Sequence, residues 1–153
     1  MTEKQSLSFV LNGESREVSI DASELLVDVL REKCGMKGTK RSCDVEVCGA
    51  CTVLAGGLPI SSCTTLAIDM EGRDVTTIEG LARNEKLSRV QQAFVDHAAM
   101  QGGFCTPGMV LATTALLETN EKPTDAEIRH FLRGNICRCT GYIKILEAVK
   151  SLV

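Results

Sequence analysis

The sequence predicts an α+β fold, with a small mixed sheet in the first half and helices in the second. Three observations carry that prediction. Leu7, Phe9 and Leu11, then Val18 and Ile20, alternate with polar neighbours. Short β-rich runs recur at Thr52-Val53-Leu54, Pro59-Ile60 and Val75 to Ile78. After Gly80 the period changes from two to that of a helix. At 153 residues the chain has room for one ordinary domain or two small ones. The change of period puts a boundary within residues 79–86, dividing the chain into residues 1–80 and 81–153.

In chain order, Asn12-Gly13 between the first two alternating runs is the signal of a two-residue hairpin turn. Asp21 and Ser23 are candidate caps for a helix over Glu24 to Lys33, with Leu25, Leu26, Val29 and Leu30 on one face. Gly35 to Ala50 has no periodicity but contains glycines and cysteines, which predicts an ordered loop wrapped around a metal. Gly56-Gly57 turns the chain between two further strands. In the helical half, Leu87, Val90, Gln91, Phe94 and Val95 share one helix. A second begins at Pro107 and runs towards Asn120. Thr124 followed by Glu127 is a capping box opening a third, through Ile128 and Phe131 to Leu132. A fourth follows Gly141, with Ile143, Leu146, Ala148 and Val149.

A formal net charge of −3 gives no basic field for nucleic acid or anionic lipid. One Tyr and no Trp leave little with which to stack bases. The polar start from Met1 to Ser6 lacks the apolar core of a secretory signal, and Met109 to Leu117 is too short and too rich in threonine to span a bilayer. These features predict a cytoplasmic protein. Eight cysteines in such a compartment point to metal ligation, because structural disulfides rarely persist there.

Cys43, Cys48 and Cys51 are spaced with four and then two intervening residues, and eleven more separate Cys51 from Cys63. This is the plant-type [2Fe–2S] pattern, in which thiolates converge on a glycine-containing loop, here at Gly49. The plainer alternatives are a structural zinc site, usually built from short-spaced cysteine pairs, and buried free thiols. Cys105 and the pair Cys137 and Cys139 lie in the helical half. His97 and His130 stand in no ligand-spaced cluster and are expected to be packing or surface residues. No nucleophile elbow, paired carboxylates or phosphate-binding loop is present, so the chain is expected to carry electrons rather than make bonds.

Cys43 to Val53, Gln101-Gly102-Gly103-Phe104-Cys105-Thr106-Pro107-Gly108-Met109, and Gly134-Asn135-Ile136-Cys137-Arg138-Cys139-Thr140-Gly141-Tyr142 closely resemble one family. It is that of the small iron–sulfur subunits of the molybdenum hydroxylases, including xanthine dehydrogenase and carbon monoxide dehydrogenase. The resemblance implies an N-terminal ferredoxin-like β-grasp domain and a C-terminal four-helix domain, each with a [2Fe–2S] cluster. Cys105, Cys137 and Cys139 match ligands of the second cluster, but Gly102 stands where the family has a cysteine. A fourth ligand from elsewhere, an exogenous thiol or solvent, and a labile or absent cluster are the alternatives. Cys34, at the end of the first helix, is the candidate substitute, against a plain role as a small buried residue. Gln101 and Cys139 match the positions that approach the pterin of the molybdenum cofactor.

The resemblance further implies a heterotrimer, assembled as a dimer of such units. A large subunit would hold molybdenum–pterin, a medium subunit FAD, and this chain would relay electrons from the first to the second. Substrate choice would lie in the large subunit, within a range of purines, other N-heterocycles, aldehydes and carbon monoxide. Competing readings are a stand-alone ferredoxin-like carrier and a docking subunit with only the N-terminal cluster functional. Co-purification with two larger chains separates an obligate subunit from a carrier.

Overall fold

The computed structural model describes residues 4–153; Met1, Thr2 and Glu3, the start of the polar N-terminal stretch, lie outside the described residues. β1 (Gln5–Leu11) and β2 (Glu14–Ile20) form the expected antiparallel hairpin. Asn12 and Gly13 both have positive φ, 54° and 84°, as a type I′ turn requires. Alternation buries Leu7, Phe9, Leu11 and Ile20 on one face, each fully buried side chain contributing about 1.5–3 kcal/mol of transfer free energy.

The helix expected over Glu24 to Lys33 is shorter and differently wound. α1 covers only Leu26–Asp28 and continues as a π-helical turn, Val29–Lys33. Neither Asp21 nor Ser23 caps it. Leu25 is the N-cap, with no side-chain hydrogen bond, because its backbone is extended and bridges to Leu66. Tertiary pairing has overridden the local capping signal.

β3 (Thr52–Ala55) and β4 (Leu58–Ser61) form a second hairpin. β5 (Asp74–Thr76) lies between β1 and β3, parallel to the first and antiparallel to the second, so the order is β2-β1-β5-β3-β4. The strand predicted over Val75 to Ile78 ends at Thr76, and Ile78–Gly80 is a 3₁₀ turn. Asn12 fixes that corner: its Oδ1 accepts from the Thr77 N–H at 2.8 Å and its Nδ2 donates to Thr77 Oγ1 at 3.0 Å.

Four helices follow, α2 (Arg89–Asp96), α3 (Thr106–Thr119), α4 (Asp125–Leu132) and α5 (Ile143–Lys150). The Thr124–Glu127 capping box is present, and Ser88 and Gln91 make a second one that opens α2. α3 buries Met109, Val110, Leu111, Ala112, Thr113, Ala115 and Leu116. It has no polar stripe because α2 and α4 pack on it from one side and β3 from another. The apolar core falls mainly into one cluster beneath the sheet and one among the helices. Leu54 of β3 meets Leu111 and Ala115 of α3 in a smaller cluster between them.

Candidate metal centres

The loop between the π-helical turn and β3 positions the first set of thiols. Asp44, Glu46 and Gly49 take positive φ of 57°, 59° and 69°, curling the backbone so that amides face inward. The N–H groups of Val47 and Cys48 donate to Cys43 Sγ at 3.4 and 3.5 Å. Backbone donation from Val45, Cys48 and Val47 lowers the Cys43 thiol to about 6. Cys51 and Cys63 are buried beside Val27. Burial, aided by hydrogen bonding to Cys51 and proximity to Cys43 and opposed by a hydrogen bond from the Glu46 backbone, raises the Cys63 thiol to about 11. Cys43, Cys48, Cys51 and Cys63 thus converge from the loop that leads into β3, ending at Cys51, and from the segment after β4.

The second set lies at the N-terminus of α3 and in the α4–α5 connection. Cys105 is the N-cap of α3, Cys137 is buried and Cys139 is exposed. Burial and hydrogen bonding to Cys137 raise the Cys105 thiol to about 11. Burial also acts to raise Cys137, but the Thr140 hydroxyl, donating to its Sγ at 3.1 Å, and nearby amides outweigh it and leave this thiol lowered. Cys105, Cys137 and Cys139 line a cavity of about 140 Å³ together with Met100, Gln101 and Gly102. A Cβ on Gly102 would point at Cys139 Sγ, 3.3 Å away. Cys34 packs against the sheet core beside Val18 and Met36, in a different cluster from the second thiol set.

A [2Fe–2S] centre divides four thiolates between two irons. Among the described residues, no group of three or more His, Cys, Asp or Glu side chains is gathered tightly enough to grip a single metal ion. The first donor set fits a two-iron centre: four thiols, with inward amides to offset their charge. The second set falls one thiolate short. His97, half-buried, has Nδ1 3.0 Å from the Ala93 carbonyl, and His130 is exposed.

Sequence reasoning left three positioning residues without roles. Asn135 is buried and its Nδ2 donates to the Gly49 carbonyl at 3.1 Å. Gly108 in α3 presses on the same oxygen, which a Cβ there would approach to 2.2 Å. Ile136 N–H donates to the Cys48 carbonyl at 2.9 Å. Gly108, Asn135 and Ile136 therefore clamp the first loop against the helices.

Residues 9–82 match the family described as "2Fe-2S iron-sulfur cluster binding domain", and residues 77–150 the one described as "[2Fe-2S] binding domain". The nicotinate dehydrogenase small FeS subunit of Eubacterium barkeri is 44% identical over 150 residues, 98% of this chain and 96% of the relative. The chain belongs to the [2Fe–2S] iron–sulfur subunits of the molybdenum hydroxylase family. The xanthine dehydrogenase iron-sulfur-binding subunit of Escherichia coli O157:H7 is 45% identical over 150 residues, 97% of this chain and 94% of that subunit. Among solved structures, quinoline 2-oxidoreductase from Pseudomonas putida 86 superposes with a TM-score of 0.94 at 42% identity, over 97% of this chain and 91% of that one. Aldehyde oxidoreductase from Desulfovibrio gigas gives 0.90 at 37% identity, over 95% of this chain but 16% of that one. In the latter, a stretch like this iron–sulfur subunit is one part of a much longer chain.

Proposed function

We propose that the chain is the electron-transfer subunit of a heteromeric molybdenum hydroxylase, relaying electrons from a molybdenum–pterin centre in a large subunit to FAD in a medium one. The observation that carries this proposal is the joining of two thiol sets in one chain through Ile136 and Cys48. One set has two buried thiols, Cys51 and Cys63, and the other presents Cys139 at the surface.

Cys43, Cys48, Cys51 and Cys63 would hold one cluster, and Cys105, Cys137 and Cys139 would hold the second. Such clusters, when bound, exchange single electrons, which matches a two-electron donor to a flavin that accepts electrons one at a time. The chain's own residues set the conditions. Amides of Val47 and Cys48 stabilise negative charge on the Cys43 sulfur, and the Thr140 hydroxyl does so at Cys137. Burial of Cys51 and Cys63 excludes water from one side of the first set. Ile136 N–H binds the carbonyl of a first-set cysteine while its own carbonyl carbon is bonded to Cys137. Exposed Gln101 lines the same cavity as Cys139, and its amide offers both donors and an acceptor to a pterin edge.

The organisation that goes with this function is a ferredoxin-like β-grasp domain over residues 1–80 and a four-helix domain over residues 81–153. The separate apolar clusters beneath the sheet and among the helices support it. Eight free cysteines suit a reducing cytoplasm. Among the described residues, no helix is long and apolar enough to cross a membrane. Exposed Phe104, Ile136 and Met100 around the second set suit a surface covered by a larger partner, within a dimer of heterotrimers.

Isolation of the tagged chain from its native host tests the assignment. Two larger chains carrying molybdenum and flavin should accompany it in fixed ratio. Recovery of a stable chain alone, reducible by unrelated reductases, would instead identify a stand-alone carrier.

A further inference from the structure

The loop that presents the first thiol set is closed at its base, where Lys40 N–H donates to the Ala50 carbonyl at 3.2 Å. Cys43 and Cys48 lie inside the closed span, and Cys51 directly follows it. The outgoing arm is the one held at Gly49 by Asn135 and Gly108. The incoming arm, residues 37–40, is held by two side chains of opposite charge. Arg31 donates to the carbonyls of Lys37 and Thr39 at 3.3 and 2.7 Å. Between these two, the Gly38 N–H donates to Glu79 Oε1 at 2.7 Å. A Cβ on Gly38 would fall 2.2 Å from Ile78 Cγ2, so the close approach of this arm to the Ile78–Gly80 turn needs a glycine.

Glu79 is itself fixed in place. Its Oε2 accepts from Thr77 Oγ1 at 2.6 Å, and that hydroxyl accepts from Asn12 Nδ2 at 3.0 Å. Thr77 is fully buried. A chain of hydrogen bonds thus runs from the β1–β2 turn, through Thr77 and Glu79, to the incoming arm. A carboxylate suits this place because it presents two acceptor oxygens and no competing donor. We infer that Glu79 is a positioning residue for the first thiol set, acting through Gly38 to fix where the incoming arm delivers Cys43 beneath the amides of Val47 and Cys48. This rests on that set being a cluster site, as proposed above. Those amides set the negative charge on the Cys43 sulfur, so a shift of the arm alters the electronic state of the centre as well as its retention.

The test uses the anaerobically purified complex with the wild-type chain, Glu79→Gln, Glu79→Asp or Glu79→Ala. The EPR spectrum of the dithionite-reduced protein and the midpoint potential of the first centre are read beside the rate of iron release to a chelator. Glu79→Gln keeps an acceptor oxygen at the same reach and should stay close to the wild type. Glu79→Asp keeps the charge but falls one CH₂ short. It and Glu79→Ala should both shift the first signal and its potential and release iron about fivefold faster, the effect of one lost hydrogen bond. If Glu79→Ala fails to assemble, the Gln and Asp variants decide alone. A first signal, potential and release rate unchanged in Glu79→Asp and Glu79→Ala would overturn the inference and leave the cluster assignment standing. So would a lowered denaturation midpoint with the first signal and potential unaltered, because Glu79 would then serve the fold alone. A Glu79→Gln variant as altered as Glu79→Ala would also overturn it, since charge rather than reach would be at work. Absence of the first signal from the wild type would remove the cluster assignment and the inference together.

Discussion

Ile136 N–H donates to the carbonyl of Cys48 at 2.9 Å, which ties the first thiol loop to the residue beside Cys137. Asn135, one residue earlier, secures the same contact from its side chain. The Gly49 carbonyl accepts from Asn135 Nδ2 at 3.1 Å, from Thr52 Oγ1 at 2.7 Å and from Thr52 N–H at 3.2 Å. The two thiol sets are thereby held in fixed relation by backbone and amide groups, which do not titrate near neutral pH.

Asn135→Ala should lower stability by about 1–2 kcal/mol, since the carbonyl it leaves behind keeps its Thr52 partners. Asn135→Asp should cost more, because it buries a carboxylate against a carbonyl oxygen. Chemical denaturation checks the order, and faster bleaching of visible absorbance in both variants would report loosening of the first loop.

Thr113 in α3 is fully buried, and its hydroxyl has no hydrogen-bond partner. Thr113→Val keeps the shape and removes an unsatisfied group, so it should stabilise the protein by about 1 kcal/mol. A rise in the urea midpoint with unchanged slope is the expected result.

Hydrogen bonds from the Thr124 hydroxyl and amide hold the Glu127 carboxyl below its ordinary value of 4.5. Hydrogen bonds from Lys150 and Arg129 do the same for Asp125 relative to 3.8. A lowered folded-state value means that each contribution is fully present above the unfolded value and disappears as pH falls through the folded one. As pH falls, α4 should therefore begin to lose its Glu127 cap below about pH 4.5 and its Asp125 ion pairs only below about pH 3.8. Glu127→Gln and Asp125→Asn should each flatten the fall of the denaturation midpoint with acid, measured by far-ultraviolet circular dichroism.

Cys34 is half-buried against the sheet core, and burial raises its thiol. Cys34→Ser should leave iron and sulfide per chain unchanged while costing some stability, as expected of a packing residue. Loss of iron from that variant would make it a ligand.

Cysteine spacing, the Asn12-Gly13 turn and the Thr124–Glu127 box were legible because each is a local pattern with a local cause. The four-helix order was legible for the same reason, although the Ser88–Gln91 box that starts α2 went unread. Failures occurred where distant segments decide the outcome. Leu25 bridges Leu66 rather than entering a helix, and Ile78 leaves the strand for a turn fixed by Asn12. Asn135 and Gly108 lie within recognisable motifs, but their roles depend on a carbonyl at Gly49, 86 residues from Asn135. No periodicity in one chain can announce such a contact.

Iron and acid-labile sulfide per chain in the anaerobically purified complex, read beside the EPR spectrum of its dithionite-reduced form, decide most directly whether this chain carries a relay of two iron–sulfur centres. About four irons, matching sulfide and two distinct [2Fe–2S] signals are predicted. A colourless protein with one zinc would rule out the relay, and about two irons with one signal would confine function to Cys43, Cys48, Cys51 and Cys63.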